Sequence, residues 1–251
     1  MEKRRKAFAA RLGVAVVAIL AAAVASVPAA AVDPACHPPV DQKAPQYIVG
    51  YGSLMEQASK QRTAPNTGEN LPVQVTGYQR KWNSRGSLIG FSTTYLGIEP
   101  ASGVRMVAAL YRVFAAADIA ATDTREAEYC REKVAPADIR MLDGSAAPEQ
   151  GQIWIYVNKK DATLPPSERF PIVQSYVDIF LGGCIELEAK VEDKSASFAD
   201  ACIDTTAGWS EHWVNDRLYP RRPFIHQPNA GKIDSLLQRK LPGYFEKIRI
   251  E

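Results

Sequence analysis

Two features could carry chemistry, a glycine-containing turn near position 51 and a glutamate far along the chain. In the segment YIVGYGSLMEQ, residues 47–57, an apolar run leads into Gly50 and Gly52 and then into a polar, helix-compatible stretch. Glycine permits close backbone approach and dihedral angles that other residues avoid. The N–H groups at the start of a helix lack intrahelical partners, so this turn could bind a carboxylate or a developing oxyanion. A tight turn without function explains the same residues.

Glu126 is the second candidate, because a helical pattern puts its carboxylate on an apolar face. Residues 116–134 have the periodicity of a helix, which turns by about 100° per residue. The side with Glu126 also carries Ile119, Asp123, Cys130 and Val134, whereas Arg125, Glu128, Arg131 and Glu132 are predicted to point into solvent. A carboxylate on an apolar face is costly without compensation. Glu126 is therefore either ion-paired with a cation from a strand or a general base whose pKa burial raises.

Three other polar residues are weaker candidates. Asp123 precedes Glu126 by three positions on the same predicted face and is its rival or its partner. We rank Glu126 higher because its longer side chain reaches further from the helix. Arg80 and Arg85 could pair with substrate carboxylates, although arginines on strands usually face water.

Several common chemistries lack their motifs. Ser53 is not part of a GxSxG sequence, which argues against a serine hydrolase. Gly50 and Gly52 begin a GxGxxG pattern, but Met55 occupies the third glycine position, so a phosphate-binding loop is not supported. His37, His212 and His226 lack metal-ligand spacing and no CxxC is present, so neither a metal nor a cofactor is expected.

Residues 1–31 have the pattern of a secretion signal. Basic residues at positions 3–11 precede an uncharged run from Leu12 to Val27, and Pro28 is followed by three alanines. This run is short for a membrane-spanning helix, which needs roughly 20 apolar residues. A signal peptide cleaved near Ala31 is therefore favoured over an anchor. The protein is expected to be periplasmic or secreted, without membrane attachment after cleavage.

The basicity of the chain belongs to that signal. The formal net charge of +2 becomes −2 once residues 1–31, with five basic residues and one acidic residue, are removed. The remaining sequence therefore gives no reason to expect a nucleic-acid partner.

Four cysteines remain after cleavage, and in an oxidising compartment they can form two disulfides in any of three connectivities. Cys184 and Cys202 flank the same turn rich in glutamate and lysine, so we prefer this pair. The choice leaves Cys36 to pair with Cys130.

The order of the predicted elements favours an α+β fold. A Pro-rich lead-in at 32–46 precedes strands at 47–50, 73–78, 92–98, 104–114 and 152–157, with Pro100–Gly103 as a hairpin between the third and fourth. Helices are predicted at 55–63, 116–134, 172–181, 197–205 and 233–240, the third ending at Gly182-Gly183. We expect one domain over 47–251, a small mixed β-barrel of about five to six strands with flanking helices and a C-terminal helical extension.

Three segments together resemble the γ-glutamylcyclotransferase superfamily. GYGSL at 50–54 is similar to the YGSL or YGSN loop after the first strand of its members. Asp123-x-x-Glu126 and Arg125-Glu126, within DTREAEYCREKV, resemble two contexts of the family's catalytic glutamate. GYQRKWNSRG at 77–86 is similar to a segment of the ChaC-like branch, with Trp82 near the aromatic position. The resemblance covers residues 47–134, and nothing after position 157 contributes to it.

The resemblance implies an enzyme that cyclises a small γ-glutamyl amide to 5-oxoproline without a metal or cofactor, with Glu126 as general acid and base. The expected substrate-binding residues are Val49, Gly50, Tyr51, Gly52, Ser53, Leu54 and Tyr129. Ser53 is expected to support the loop or bind substrate rather than attack it, and Tyr129 to donate to a substrate carboxylate. ChaC-like enzymes are typically cytosolic and act on glutathione, so the export signal leaves the leaving amine open. The alternative is a non-catalytic binding domain on the same barrel, with Glu126 in a structural role.

Overall fold

The computed structural model describes residues 33–86, 92–159, 162–222 and 228–251. The expected signal peptide at 1–31 lies outside these residues. None of the helices in the described ranges combines the length and the apolarity needed to cross a bilayer.

The elements follow in a strand-rich first half and a helix-rich second half. The strands are β1 Gln46–Gly50, β2 Leu71–Arg85, β3 Thr94–Val113, β4 Tyr129–Val134, β5 Ile139–Met141, β6 Gln152–Asn158, β7 Ile172–Val173, β8 Thr206–Ala207, β9 Trp213–Asn215 and β10 Arg249–Ile250. The helices are α1 Gln57–Gln61, α2 Ala116–Arg125, α3 Gln174–Glu188, α4 Phe198–Asp204, α5 Ala230–Lys240 and α6 Pro242–Phe245. A 3-10 turn, Ser53–Met55, joins β1 to α1.

The main sheet contains both parallel and antiparallel strand pairs, as expected for the predicted α+β class. Its strands lie in the order β4-β6-β1-β3-β2-β5, with β8 beside β2. β1 pairs with β3 antiparallel and with β6 parallel. A second, small sheet has the order β10-β9-β7. The α+β class with a mixed sheet is confirmed, and the described residues show no pairing between the end strands β4 and β5.

The predicted hairpin at Pro100–Gly103 is wrong, because both halves of β3 pair with the same strand. Thr76 of β2 pairs with Arg105, and Tyr78 pairs with Pro100, so residues 101–104 form an irregularity opposite Gly77. Gly77 and Gly103 have φ values of 96° and 74°, in the left-handed region that favours glycine. The proline and glycines therefore mark a bulge in one long ribbon rather than a chain reversal.

The predicted helix at 116–134 is wrong in its second half. Helix α2 ends at Arg125, and residues 129–134 form β4. This strand pairs antiparallel with β6 from Tyr129 opposite Asn158 to Val134 opposite Ile153. Cys130, within β4, forms a disulfide with Cys36. Tertiary pairing overrides the helical periodicity, because the apolar positions that share a helical face also fit a strand against β6.

The glycine pair that was predicted to end the third helix lies inside it. Helix α3 continues through Gly182 and Gly183 to Glu188, and most of its residues are buried. A Cβ on Gly183 would lie 2.5 Å from the carbonyl carbon of Met55 and 2.6 Å from the nitrogen of Glu56. Gly183 therefore lets α3 pack against the backbone that follows the 3-10 turn.

Apolar side chains fill both faces of the main sheet. Helices α3, α4 and α5 cover one face, where Trp82 and Leu96 of the β2–β3 ribbon share one buried cluster with Phe180. The opposite face buries a second cluster that includes Val49 and Ile155. The C-terminal segment is thus part of the core that supports the ribbon.

Both preferred cysteine pairs are confirmed, Cys36 with Cys130 and Cys184 with Cys202. The first attaches the lead-in to β4, where the Arg131 N–H also donates to the carbonyl of Cys36 at 2.7 Å. The second joins α3 to α4. All four cysteines of the sequence are therefore disulfide-bonded.

The close contact of α3 predicts opposite effects for two adjacent alanine substitutions. Gly183→Ala is expected to lower the free energy of unfolding by about 1–3 kcal/mol, because the added methyl group meets backbone that cannot move independently. Gly182→Ala is the matched control, since its Cβ would meet only Glu56 Oε1 at 3.6 Å. Its higher helix propensity is expected to leave stability unchanged or raise it by up to about 1 kcal/mol. Denaturant unfolding measures both, and equal effects would contradict the packing account.

Candidate active site

Segments far apart in the sequence meet around a narrow cleft next to Glu126. Its lining residues are Tyr51, Gly52, Ser53, Leu54, Leu96, Glu126, Tyr129, Tyr156 and Tyr176. The cleft encloses about 270 Å³ of empty space, part of it open to solvent. The cavity volume that compares with the roughly 300–1,000 Å³ of sites for drug-sized ligands is about 20 Å³, room for about one water molecule. Larger surface clefts of about 930 and 830 Å³ do not include Glu126.

Glu126 occupies the C-terminal cap of α2, one residue beyond the helix. Its N–H donates to the carbonyl of Thr122 at 2.9 Å, and its side chain is 15% exposed. Burial raises the pKa of the Glu126 carboxyl, and the charges of Arg125 and Arg222 oppose this increase. A carboxyl with a raised pKa can take up a proton and return it near neutral pH.

Arg125 points into the site, contrary to the prediction that it faces solvent. Its Nε lies 3.2 Å from Glu126 Oε1. The rest of the guanidinium donates to Ser53 Oγ at 2.9 Å and to the carbonyl of Ser59 at 2.8 Å. The predicted orientation of Arg125 assumed a helix that continues to residue 134, whereas α2 ends at Arg125. Arg125 therefore connects the acid to the turn, and the Ser53 hydroxyl acts as an acceptor in that connection.

Asp123 does not compete with Glu126 as a base. Its carboxylate accepts hydrogen bonds from Arg131 Nε at 2.8 Å and from the Tyr156 hydroxyl at 2.7 Å. Arg131 was also predicted to face solvent, but its side chain is 2% exposed and pairs with Asp123. Both oxygens of the Asp123 carboxylate thus accept from protein donors, and Asp123 does not line the cleft.

A shell of tyrosines surrounds the Glu126 carboxyl. Burial raises the pKa of Tyr51, Tyr129 and Tyr156 well above the ordinary value, and it raises that of Tyr176 to about 12. The Glu126 charge contributes to each of these increases. All of these hydroxyls are therefore protonated at neutral pH and can act as donors, which leaves the carboxyl as the base.

Three of the tyrosine hydroxyls already have acceptors. Tyr51 donates to the carbonyl of Tyr156 at 2.6 Å, Tyr156 to Asp123, and Tyr129 to the carbonyl of Leu96 at 3.1 Å. The Tyr129 ring lines the cleft, but its proton is directed to Leu96. Tyr176 differs, because its hydroxyl lies against Gly52 and is approached by the Ser53 N–H.

The two glycines of the turn make room for protein groups. A Cβ on Gly50 would lie 2.8 Å from Leu54 Cβ, and one on Gly52 would lie 2.7 Å from the Tyr176 hydroxyl. The described residues include several glycines with positive φ, but Gly50 and Gly52 are not among them. The turn therefore needs glycine because it folds tightly on itself and against α3. Val49 and Gly50 belong to β1, and the Val49 side chain packs in the core rather than lining the cleft.

Arg80 is fully buried and holds the turn in place. Its guanidinium donates to the carbonyls of Tyr51 at 3.1 Å, Val107 at 2.9 Å and Cys202 at 2.7 Å. Burial lowers the pKa of Arg80 to about 9, so it remains charged at neutral pH. Arg85 lies elsewhere, with its guanidinium carbon 4.4 Å from the centre of the Phe170 ring. Neither arginine lines the cleft.

Two other buried groups have shifted pKa values outside the cleft. Burial is the main cause in both cases: the pKa of Glu56 rises to about 7 and that of Lys60 falls to about 7. Lys60 Nζ donates to the carbonyl of Gly68 at 2.6 Å and to Asn70 Oδ1 at 2.9 Å. Lys60 thereby joins α1 to the loop before β2. Among the described residues, no group of three or more His, Cys, Asp or Glu side chains could hold a metal ion.

Sequence reasoning missed Leu96, Tyr156 and Tyr176 as lining residues. Tyr156 lies in the apolar run of β6 and Tyr176 in that of α3, where an inward-facing tyrosine resembles any core aromatic. Their hydroxyls were the available signal, because a buried tyrosine usually needs a hydrogen-bond partner. The turn and Glu126 were predicted, and the structure brings them together.

No protein-family model and no curated protein matches the chain. Among solved structures, the fold is similar to that of a γ-glutamyl cyclotransferase, with 12% identity and a TM-score of 0.46 over 64% of this chain and 99% of the other. It is also similar to an uncharacterized protein from Homo sapiens, with 12% identity and a TM-score of 0.47 over 63% and 86%. A yeast γ-glutamyl cyclotransferase specific to glutathione has 11% identity and a TM-score of 0.39 over 64% and 97%. At these values the case for a function rests on the site itself.

The raised pKa of Glu126 predicts how stability depends on pH. Below the pKa of an unfolded glutamate, about 4.3, the carboxyl is protonated in both states and burial carries no penalty. As pH rises through the higher native pKa, the buried group must ionise and stability falls. Glu126→Gln removes this penalty, so its melting temperature relative to the wild type is expected to be higher at about pH 8 than at about pH 4. Thermal unfolding at both pH values measures the difference.

Glu132→Gln, which changes an exposed glutamate of β4, is the control and is expected to show no such trend. A melting-temperature difference for Glu126→Gln that does not change with pH would contradict the burial of an ionisable carboxyl.

Proposed function

We propose that the protein is a γ-glutamylcyclotransferase-like enzyme that releases 5-oxoproline from a small γ-glutamyl amide. One observation carries the proposal: a buried carboxyl with a raised pKa shares a narrow cleft with the backbone of the turn at 51–54. These groups supply what an intramolecular cyclisation needs, a base and a surface that holds a glutamyl group.

The reaction needs no nucleophile from the protein. The α-amine of a γ-glutamyl amide attacks its own γ-carbonyl carbon, and the new C–N bond closes a five-membered lactam while the bond to the leaving nitrogen breaks. Because the nucleophile is tethered to its target, much of the entropic barrier is already met. All four cysteines are in disulfides, and the Ser53 hydroxyl accepts from Arg125.

Glu126 moves the protons. A free α-amine is mostly protonated at neutral pH, so the Glu126 carboxylate first takes a proton from the α-ammonium group. It then delivers a proton to the leaving nitrogen as the amide bond breaks, and the second proton released by the cyclising nitrogen follows the same route. A single carboxyl performs both steps if its pKa lies near the working pH. Burial raises the pKa of Glu126 toward that range, and the charge of Arg125 opposes the increase.

The walls of the cleft orient the glutamyl group. Gly52 and Ser53 line it, and in the proposal their main-chain groups other than the Ser53 N–H and the Gly52 carbonyl, which already have partners, recognise the amine and the carboxylate. Tyr176 of α3 and the ring of Tyr129 form part of the cleft wall. The substrate is glutathione or another γ-glutamyl peptide or amine. Export of the protein is part of the proposal, and two disulfides are consistent with an oxidising compartment.

A non-catalytic binding domain is the alternative. It is favoured by the 3.2 Å approach of Arg125 to Glu126 and by the small volume of the cleft. In that case Glu126→Gln changes stability without affecting any turnover.

The enzymatic proposal predicts that Glu126→Gln is folded and inactive. Wild-type protein without residues 1–31 is incubated with glutathione and a panel of γ-glutamyl dipeptides, and 5-oxoproline is measured. We expect Glu126→Gln to lose at least about 100-fold in kcat/KM, the typical contribution of general acid–base catalysis. Glu132→Gln is the matched control with unchanged activity. No product from any γ-glutamyl compound would favour the binding domain.

The same proposal predicts the pH dependence of activity. Glu126 must be ionised to act as a base, so kcat/KM for the wild type is expected to rise with pH through the raised pKa of this carboxyl. The midpoint of this acidic limb should lie above the value for an ordinary glutamate, about 4.3. Arg125→Met removes the charge that lowers the pKa and should move the midpoint to higher pH. A midpoint that stays at the same pH in this variant would contradict the assignment of the limb to Glu126.

A further inference from the structure

Arg222 is a cation that the fold holds beside the cleft, and within the described part of the chain it forms no ion pair with a carboxylate. It ends the segment 216–222, which follows β9. Asp216 Oδ1 accepts from the Ser175 N–H at 2.7 Å, and Arg217 donates to Asp178 with two contacts of 2.7 Å. The N–H of Arg222 donates to Ser175 Oγ at 3.3 Å. The segment is therefore attached to α3 at the residue before Tyr176.

The guanidinium of Arg222 lies over two aromatic rings. Its central carbon is 5.4 Å from the ring centre of Tyr95 and 6.0 Å from that of Tyr176. Among the described residues, its guanidinium nitrogens make no hydrogen bond or ion pair. Arg125 differs in having its donors committed to the turn, and Arg80 differs in being fully buried among carbonyls.

The position of Arg222 is at the rim of the cleft rather than inside it. Tyr176 lines the cleft and Tyr95 packs against it with ring centres 4.9 Å apart, whereas Arg222 covers both rings from outside. Its charge still reaches the Glu126 carboxyl, since it opposes the effect of burial on that pKa. A group that extends from the cleft past Tyr176 would meet this guanidinium.

We propose that Arg222 binds the carboxylate of the amino acid or peptide that leaves the γ-glutamyl group. The assignment rests on the proposed cyclisation and adds a residue that would set its preference for a leaving group with a free carboxylate near the scissile amide. A guanidinium presents a planar fork of donors that matches a carboxylate with two parallel hydrogen bonds. Stacking on Tyr95 and Tyr176 orients this fork and limits the freedom lost on binding.

The glutamyl α-carboxylate is the competing target, and geometry argues against it. That carboxylate shares a carbon atom with the amine on which Glu126 acts, so it stays near Glu126 and the residues that line the cleft. Arg222 is absent from the lining of the cleft. The departing group is the part of the substrate that extends to the rim.

The test compares two substrates that differ by one charge, γ-glutamyl-alanine and γ-glutamyl-alaninamide. For the wild type we expect kcat/KM to favour the acid by about tenfold, the factor for one charge-assisted hydrogen bond. In Arg222→Met this acid-to-amide ratio should fall to about one, and Arg222→Lys should retain part of it because the charge remains. Arg112→Met is the matched control, since that guanidinium lies 5.3 Å from the Phe114 ring, outside the cleft. Thermal unfolding of each variant verifies that it is folded.

The outcomes separate this proposal from the one on which it rests. If the wild type forms 5-oxoproline but shows no preference for the acid, the role of Arg222 is overturned while cyclisation stands. The same holds if Arg222→Met lowers kcat/KM equally for both substrates, which indicates the α-carboxylate as its target. If the wild type forms no 5-oxoproline from either substrate or from glutathione, the function fails and the role of Arg222 fails with it.

Discussion

The buried guanidinium of Arg80 is the interaction on which the site depends. A charge removed from water needs hydrogen bonds from protein groups in place of those to water. Among the described residues, the Arg80 guanidinium donates to carbonyls and hydroxyls rather than to a carboxylate. The carbonyls come from Tyr51, Val107 and Cys202, which belong to the turn, the long ribbon and α4. The last lies near the C-terminal end of a helix, where partial negative charge favours a cation. One side chain thus joins the turn, the ribbon and α4.

A second constraint follows from what the cleft contains. Glu126 is surrounded by tyrosines that are buried and protonated, and by Arg125, which holds its carboxyl toward the turn. Protonated hydroxyls and backbone N–H groups provide donors but no competing base. Glu126 is therefore the group in the cleft that can accept a proton. This role lowers stability, because burial removes water from its carboxyl. Sites that destabilise the fold locally for chemical reasons are common in enzymes.

The sequence predicted the turn and the acid, but not the geometry around them. Short-range signals were sufficient for β1 and for α5, and they also pointed to Glu126, which lies beside the turn. They failed where distant chain segments decide. Strand β4 pairs with β6 and is linked to Cys36, and Gly183 serves the close packing of α3 on the backbone at Met55 instead of ending the helix. Tyr176 was hidden in a uniformly buried helix. Helical projection misplaced Arg125 because the helix on which it was drawn ends there.

The two disulfides lie close to the cleft. Cys130 follows Tyr129 directly along β4, and Cys184 lies on the helix that carries Tyr176. Folded proteins open in parts, and chain ends and surface segments detach at a lower free energy than the core. Here a detached lead-in stays linked to β4 through Cys36 and Cys130, and a detached α4 stays linked to α3 through Cys202 and Cys184. A segment that opens therefore stays tethered beside the wall, and the covalent link limits how far it can move from the residues around Glu126.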